Sequence, residues 1–291
     1  MINILLTGAS GFLGSYFQKK YSDKYKITTF SFRENEFSTL DVQNIDTVIH
    51  LSALVHQMGG AEAEEYERVN VTQSINLATK AKASGVKHFI FMSTVKVYGE
   101  ETNRAYNEQS ECKPQDDYGK SKLKAERELQ KLEDDDFIVS IVRTPIVYGY
   151  GVKANIKSLI DLVKKVPLLP FAQIQNRRSM VYIGNLSHLV DVICEKREGG
   201  IFLAADDKAI STTRLIELIA LNLGKNISLI RVPFFESLLK ILKPSFHKRL
   251  YESLEVDNSV TQEVLEFNNL YSVEDGIRFM IDNSDDMKYN K

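Results

Sequence analysis

Thr7-Gly8-Ala9-Ser10-Gly11-Phe12-Leu13-Gly14 follows the apolar run Ile2–Leu6 without a break and leads straight into Ser15–Lys20, a stretch able to start a helix. Glycine permits a sharp turn and a close approach of backbone to a pyrophosphate, while the first N–H groups and the positive end of the following helix face the anion. A glycine triplet alone is weak evidence. Lying between a β-type run and a helical one, it predicts a dinucleotide-binding loop contacted through Gly8, Ser10, Gly11, Phe12, Leu13 and Gly14.

Further along, short apolar runs recur at Ile27–Phe32, Thr47–Leu51, Phe89–Met92 and Val139–Val142, separated by stretches with helical spacing. That alternation predicts βαβ units and an α/β fold: a Rossmann-type, doubly wound parallel sheet buried on both faces. Glu64–Ser84 suits a helix ending at Gly85, and a second helix begins near Tyr118. After Gly149-Tyr150-Gly151 the rhythm changes to helical pieces such as Thr213–Leu223 among proline-containing loops. The expected division is a dinucleotide-binding domain over 1–150, with 178–204 returning to it, and a smaller mixed substrate lobe over 151–177 and 205–291. The polar tail Asn283–Lys291 is expected to fray.

The 291 residues carry a net charge of −2. Nothing in that balance points to a basic face for nucleic acid or anionic lipid. Cys112 and Cys194 stand in unrelated contexts and are expected to be buried free thiols, so neither a disulfide framework nor a metal site is predicted. No basic leader precedes Met1-Ile2-Asn3, and no apolar run is long enough to span a membrane, which predicts a cytoplasmic protein without membrane insertion.

Reduction of a ketone, or its reverse, needs a hydride carrier and a group that moves a proton at the carbonyl oxygen. A tyrosine does this near neutral pH if nearby cations lower its pKa, and a lysine four residues later on a helix lies on the same face. Two Tyr-x-x-x-Lys pairs occur, Tyr16/Lys20 and Tyr118/Lys122. Tyr16 sits in the first helix, remote from the strand ends, and reads as structural. Tyr118 follows Ser93-Thr94-Val95-Lys96-Val97-Tyr98-Gly99, a strand end with a hydroxyl pair.

With its Gly-x-x-Gly-x-x-Gly spacing, the chain resembles the extended short-chain dehydrogenase/reductases, and the likeness runs nearly its whole length. It implies Thr94 as the hydroxyl that binds the substrate oxygen, Tyr118 as acid and base, and Lys122 as the group that binds the nicotinamide ribose and lowers the pKa of Tyr118. Asn70 in Val69-Asn70-Val71 matches the family's helix asparagine. Asp41-Val42 matches the adenine contact, and Leu51-Ser52-Ala53 the strand end beneath the cofactor. His50 and His56 could equally be structural. Pro145, in Arg143-Thr144-Pro145-Ile146-Val147-Tyr148-Gly149, belongs to the segment that closes over the nicotinamide.

Where these relatives carry an acid for the adenosine ribose of NAD, this chain has Ser31, with Arg33 two residues on. A hydroxyl and a guanidinium accept a 2′-phosphate, so NADP(H) is favoured and NAD remains open. In the second lobe the resemblance implies Asn155, Arg178 and, more weakly, Arg249 as contacts to a UDP-sugar, the arginines at its diphosphate. Val95 and Lys96 replace the Asp-Glu of sugar 4,6-dehydratases. The expected function is an NADPH-dependent 4-ketoreductase of a UDP-4-keto-6-deoxy-N-acetylhexosamine. The alternatives are a UDP-N-acetylglucosamine or UDP-glucose 4-epimerase with tightly held NAD, and a non-catalytic nucleotide sensor. A homodimer is what the resemblance suggests.

Overall fold

The computed structural model describes residues 1–55 and 61–283. His56 and the tail beyond Asn283 lie outside them. Its central sheet contains β1 (Asn3–Thr7), β2 (Lys26–Phe30), β3 (Thr47–His50), β4 (His88–Thr94) and β5 (Ile138–Thr144), the five strands expected from the apolar runs. Three short strands follow, β6 (Ile146–Tyr148), β7 (Leu168–Leu169) and β8 (Met180–Tyr182), then β9 (Gly200–Leu203) and β10 (Ser228–Leu229). The main sheet has six strands in the order β2-β1-β3-β4-β5-β9, all parallel. From β1 the chain goes one way to β2 and then crosses back to β3 on the other side. The strand order therefore reverses at the carboxyl ends of β1 and β3, where a parallel sheet opens a crevice for ligand.

Side chains alternate across each strand, so Ile4 and Leu6 face one layer while Leu5 faces the other. The first layer holds α1 (Phe12–Tyr21), through Phe17, and α6 (Ile183–Lys196), through Leu189, Val190 and Ile193. The opposite layer holds α3 (Gln73–Ala83) and α4 (Asp117–Gln130), through Leu77, Ala81, Ala125 and Leu129. The helix expected over Glu64–Ser84 begins with α2 (Ala63–Tyr66), passes through a π-helical turn at Glu67–Thr72 and ends before Gly85, whose φ of +84° suits glycine.

The remaining helices are α5 (Ala154–Lys165), α7 (Thr212–Asn222), α8 (Phe235–Leu242), α9 (Pro244–Tyr251), α10 (Ser259–Leu265) and α11 (Val273–Asp282). A second core forms where α5, α7 and α11 bury Ile160, Ile216 and Ile277 against β6 and β8. Serine caps start two of these helices: Ser211 accepts from the N–H of Arg214, and Ser272 from that of Asp275. Cys194 is buried in the first core layer as expected, whereas Cys112 is only half-buried because its loop runs over the surface. Among the described residues no helix is long and apolar enough to cross a membrane, and no cluster of His, Cys, Asp and Glu could hold a metal ion.

Candidate active site

At the crossover, β1 ends in the glycine loop and α1 begins at Phe12 with Gly11 as its N-cap. A Cβ on Gly8, whose φ is +73°, would lie 2.8 Å from the Leu51 carbonyl carbon and the Ser52 nitrogen; one on Gly14 would lie 2.2 Å from the Gly8 carbonyl oxygen. The loop therefore folds tightly onto both the end of β3 and the first turn of α1, and only glycine fits at these two points. Ser10 and Gly11 remain exposed at the helix N-terminus, so the cradle is open to an anion, and its shape fits a dinucleotide pyrophosphate. Leu51, Ser52 and Ala53 are half-buried beside it.

A continuous polar chain leads from this cradle to α4. Thr7 Oγ1 is 2.6 Å from His50 Nδ1, and His50 Nε2 is 3.0 Å from Ser74 Oγ, which donates to the Asn70 carbonyl at 2.8 Å. Asn70 sits in the π-helical turn and is fully buried. Its side-chain oxygen accepts from Leu54 N–H, and its amide donates to the Leu54 carbonyl and to Ser121 Oγ, both at 3.0 Å. Ser121 then donates to the Tyr118 carbonyl at 2.8 Å. The extra residue of a π-turn redirects one side chain, a device found often at functional sites. His50 is part of this bracing, and burial together with the charge of Lys122 pushes its pKa down to about 3.

Thr94 ends β4, and its Oγ1 accepts from the N–H of Lys96 at 3.3 Å. The turn after it is clamped to the start of α4: Lys96 pairs with Asp116, and Asp116 caps the helix by accepting from Gly119 N–H at 2.7 Å. A Cβ on Gly119 would lie 2.9 Å from the Lys96 carbonyl oxygen, so the two segments can approach this closely only with glycine there. This clamp draws the segments carrying Thr94 and Tyr118 together. Lys122, one turn on, is buried with its Nζ 3.8 Å from the centre of the Phe91 ring. Tyr16 instead packs on α1 against the second core.

Burial first, then Asp116 and Tyr66, hold the Tyr118 phenol above its ordinary value. Burial meanwhile brings the Lys122 ammonium down to about 7, against the opposing pull of Glu126. A low-dielectric site penalises the charged form of both groups.

One turn beyond Lys122, α4 is tied to β5 by a buried ion pair that sequence reading missed. Arg143 Nη2 lies 2.6 Å from Glu126 Oε2, its Nη1 donates to the Tyr98 hydroxyl at 2.7 Å, and Ser93 donates to Glu126. Asp206 was missed as well. It accepts from the Tyr148 hydroxyl at 2.6 Å, Tyr182 N–H at 3.0 Å and Asn185 Nδ2 at 2.8 Å, joining the end of β9 to β6, β8 and α6. A lone Asp in a loop carries no local signal of that role. Pro145 is buried between β5 and β6, and Gly149, which closes its segment, would place a Cβ 3.5 Å from the Phe12 ring of the cradle.

Of the residues expected to meet the adenosine, Ser31 is half-buried just past β2, Arg33 is exposed and Val42 is buried. The exposed Asp41 accepts from Gln43 N–H at 2.9 Å. In the second lobe, Arg249 Nη1 donates to Asn155 Oδ1 at 3.0 Å, bringing two of the expected substrate contacts together across α9 and α5. Arg178 donates to the Glu252 carbonyl at 2.9 Å and lies near enough to Arg249 for their charges to repel. Burial first, with Arg249 adding to it, holds its guanidinium below the usual range. Two arginines gathered in this way favour an anion between them.

A nucleotide cradle running to a half-buried tyrosine and a buried lysine on one helix suits an enzyme that moves a hydride and a proton together. The chain belongs to the NAD dependent epimerase/dehydratase family, whose model matches residues 4–205. It is a nicotinamide-dinucleotide enzyme of sugar-nucleotide chemistry. It is 36% identical to the UDP-glucose 4-epimerase of Vibrio cholerae, over 95% of this chain and 93% of that one. The fold matches that of UDP-glucuronic acid 4-epimerase from Bacillus cereus in complex with NAD, with a TM-score of 0.78, 21% identity and 99% of both chains covered. It also matches dTDP-4-dehydrorhamnose reductase from Bacillus anthracis in complex with NADP, with a TM-score of 0.78, 18% identity, and coverage of 98% of this chain and 100% of that chain.

Proposed function

We propose that the chain is a UDP-hexose 4-epimerase that retains NAD through each cycle. The observation that carries this reading is the end-to-end likeness, at 36% identity, to a UDP-glucose 4-epimerase. It displaces the 4-ketoreductase favoured by the sequence, because both reactions use Thr94, Tyr118 and Lys122 and the triad alone does not separate them.

The bound cofactor supplies a site that accepts hydride from C4 of the sugar and gives it back. Tyr118 takes the proton from O4 as C4 is oxidised and returns it to the same oxygen as C4 is reduced from the opposite face, so the net change is inversion alone. The Thr94 hydroxyl holds that oxygen, and Lys122 holds the nicotinamide ribose. Burial brings its ammonium down to about 7, so the charge of Lys122 would respond to the groups placed beside it. Arg178 and Arg249, with Asn155, hold the diphosphate while the hexose turns its other face.

A second reading rests on Ser31 and Arg33. No carboxylate follows β2 at Ser31, so a 2′-phosphate meets no repulsion there, as a reductase using NADPH requires. Denaturing the purified protein and identifying the released nucleotide tests the two readings. Stoichiometric NAD supports the epimerase; an empty site together with preferential NADPH binding supports the reductase.

A further inference from the structure

We propose that α8 and the turn before it form a peripheral docking face for an anionic lipid surface. This inference stands on the exposed face alone and holds for either reading of the active site. Phe234 is 86% exposed, Ile241 77%, Leu242 67% and Leu238 54%. These positions recur at the spacing of one helical face, whereas Phe235 and Leu239 turn the other way and pack against the second core. Phe234 itself holds a left-handed backbone, φ +61°, at the N-cap of α8. Such a conformation is costly for a bulky residue, and here it leaves the ring in solvent. Clustered exposed apolar side chains on this scale mark a contact surface.

The surrounding charge identifies what the surface fits. Between Arg231 and Arg249 the chain has basic residues at 231, 240, 243, 248 and 249, and Glu236 as its one acid. Lys248 turns toward Glu101 and Arg249 toward Asn155, while Arg231, Lys240 and Lys243 lie exposed around the apolar stripe. The whole-chain charge of −2 averages over this cationic segment. A short helix with apolar side chains on its outer face and lysines beside them suits a bilayer interface: the apolar groups enter the acyl boundary and the cations meet anionic headgroups. Pairing with a second copy through this face would set like charges together. Because α9 follows α8 and carries Arg249 to Asn155, a docked molecule would hold its substrate end close to the membrane.

The test is co-sedimentation of the full chain with vesicles of phosphatidylglycerol and phosphatidylethanolamine, and with vesicles of phosphatidylcholine alone. Binding to the first and not the second, weakened by added salt, is expected. Ile241→Glu with Leu242→Ser should reduce it at least tenfold, and Lys240→Ala with Lys243→Ala by up to about thirtyfold, since each near-surface cation contributes about a factor of five. All four positions are exposed, so turnover in these variants should match that of the parent and show that the fold is kept. Failure of the parent to bind, equal binding to both vesicle types, or binding unchanged in both variants overturns the proposal. So does a concentration-dependent dimer that the Ile241 variant dissociates in the absence of vesicle binding.

Discussion

The side-chain amide of Asn70 donates to Ser121 Oγ at 3.0 Å, and through it the π-helical turn steadies the first turn of α4. Removing the middle of that link should disturb catalysis more than folding. Ser121→Ala leaves Asn70 its two bonds to Leu54, so stability should fall by about 1 kcal/mol. With the Tyr118 backbone less well held, kcat should drop about tenfold while KM for the sugar nucleotide stays near the parent value. Asn70→Ala also strands the N–H of Leu54, and unfolding in urea should show a loss of about 1–3 kcal/mol.

Tyr118→Phe removes the hydroxyl proposed to carry the proton and little else. Turnover should fall by about 100-fold or more, the scale of general acid–base catalysis, with UDP affinity retained in calorimetry. Tyr16→Phe, at the other Tyr-x-x-x-Lys pair, should keep turnover near that of the parent. Equal losses in both variants would remove Tyr118 from its assigned role.

Arg178 and Arg249 approach the same place from different elements, so the diphosphate should draw on both. Arg178→Ala should weaken UDP by about as much as UDP-sugar, roughly the 1.5–3 kcal/mol of a hydrogen bond to a charged group. Titration calorimetry with UDP measures this directly. Undiminished affinity in the variant would place the diphosphate elsewhere.

Stability should decline on mild acidification. Burial, then the charge of Lys122, holds His50 at about 3; burial, then Arg197, holds His88 at about 4. Both protonate near 6.5 in the unfolded chain, so the folded state keeps its full advantage above that pH and loses it as pH falls toward 4. At pH 5 each should cost on the order of 2 kcal/mol. Thermal unfolding at pH 7 and pH 5 should show a lower Tm at pH 5, and His88→Gln should lessen the difference.

The legible parts of the molecule are those whose determinants lie close together in the chain. Gly8, Gly11 and Gly14 carry the cradle within one turn, and Tyr118 and Lys122 share a face of one helix. Asn70 could be matched by resemblance, but its partners, Leu54 and Ser121, lie 16 and 51 residues away. No periodicity predicts that meeting, or the π-turn that aims it. The environment of Tyr118 is hidden for a related reason: a lysine at helical spacing is visible in sequence, whereas the burial that raises the phenol's pKa is a property of the assembled site. The strand β9 begins at Gly200 and has only three apolar residues, so it leaves little trace. The outward face of α8 escaped notice because an amphipathic pattern does not tell whether its apolar side is covered.

The most direct test of the epimerase reading is to incubate the purified protein, without added cofactor, with UDP-glucose or UDP-N-acetylglucosamine deuterated at C4, and to follow the products by NMR. The account predicts the C4 epimer with deuterium still at C4, because the same hydride leaves and returns within one active site. Absence of any epimer, together with NADPH oxidation when a UDP-4-keto-6-deoxy-N-acetylhexosamine is supplied, would contradict it and establish the ketoreductase.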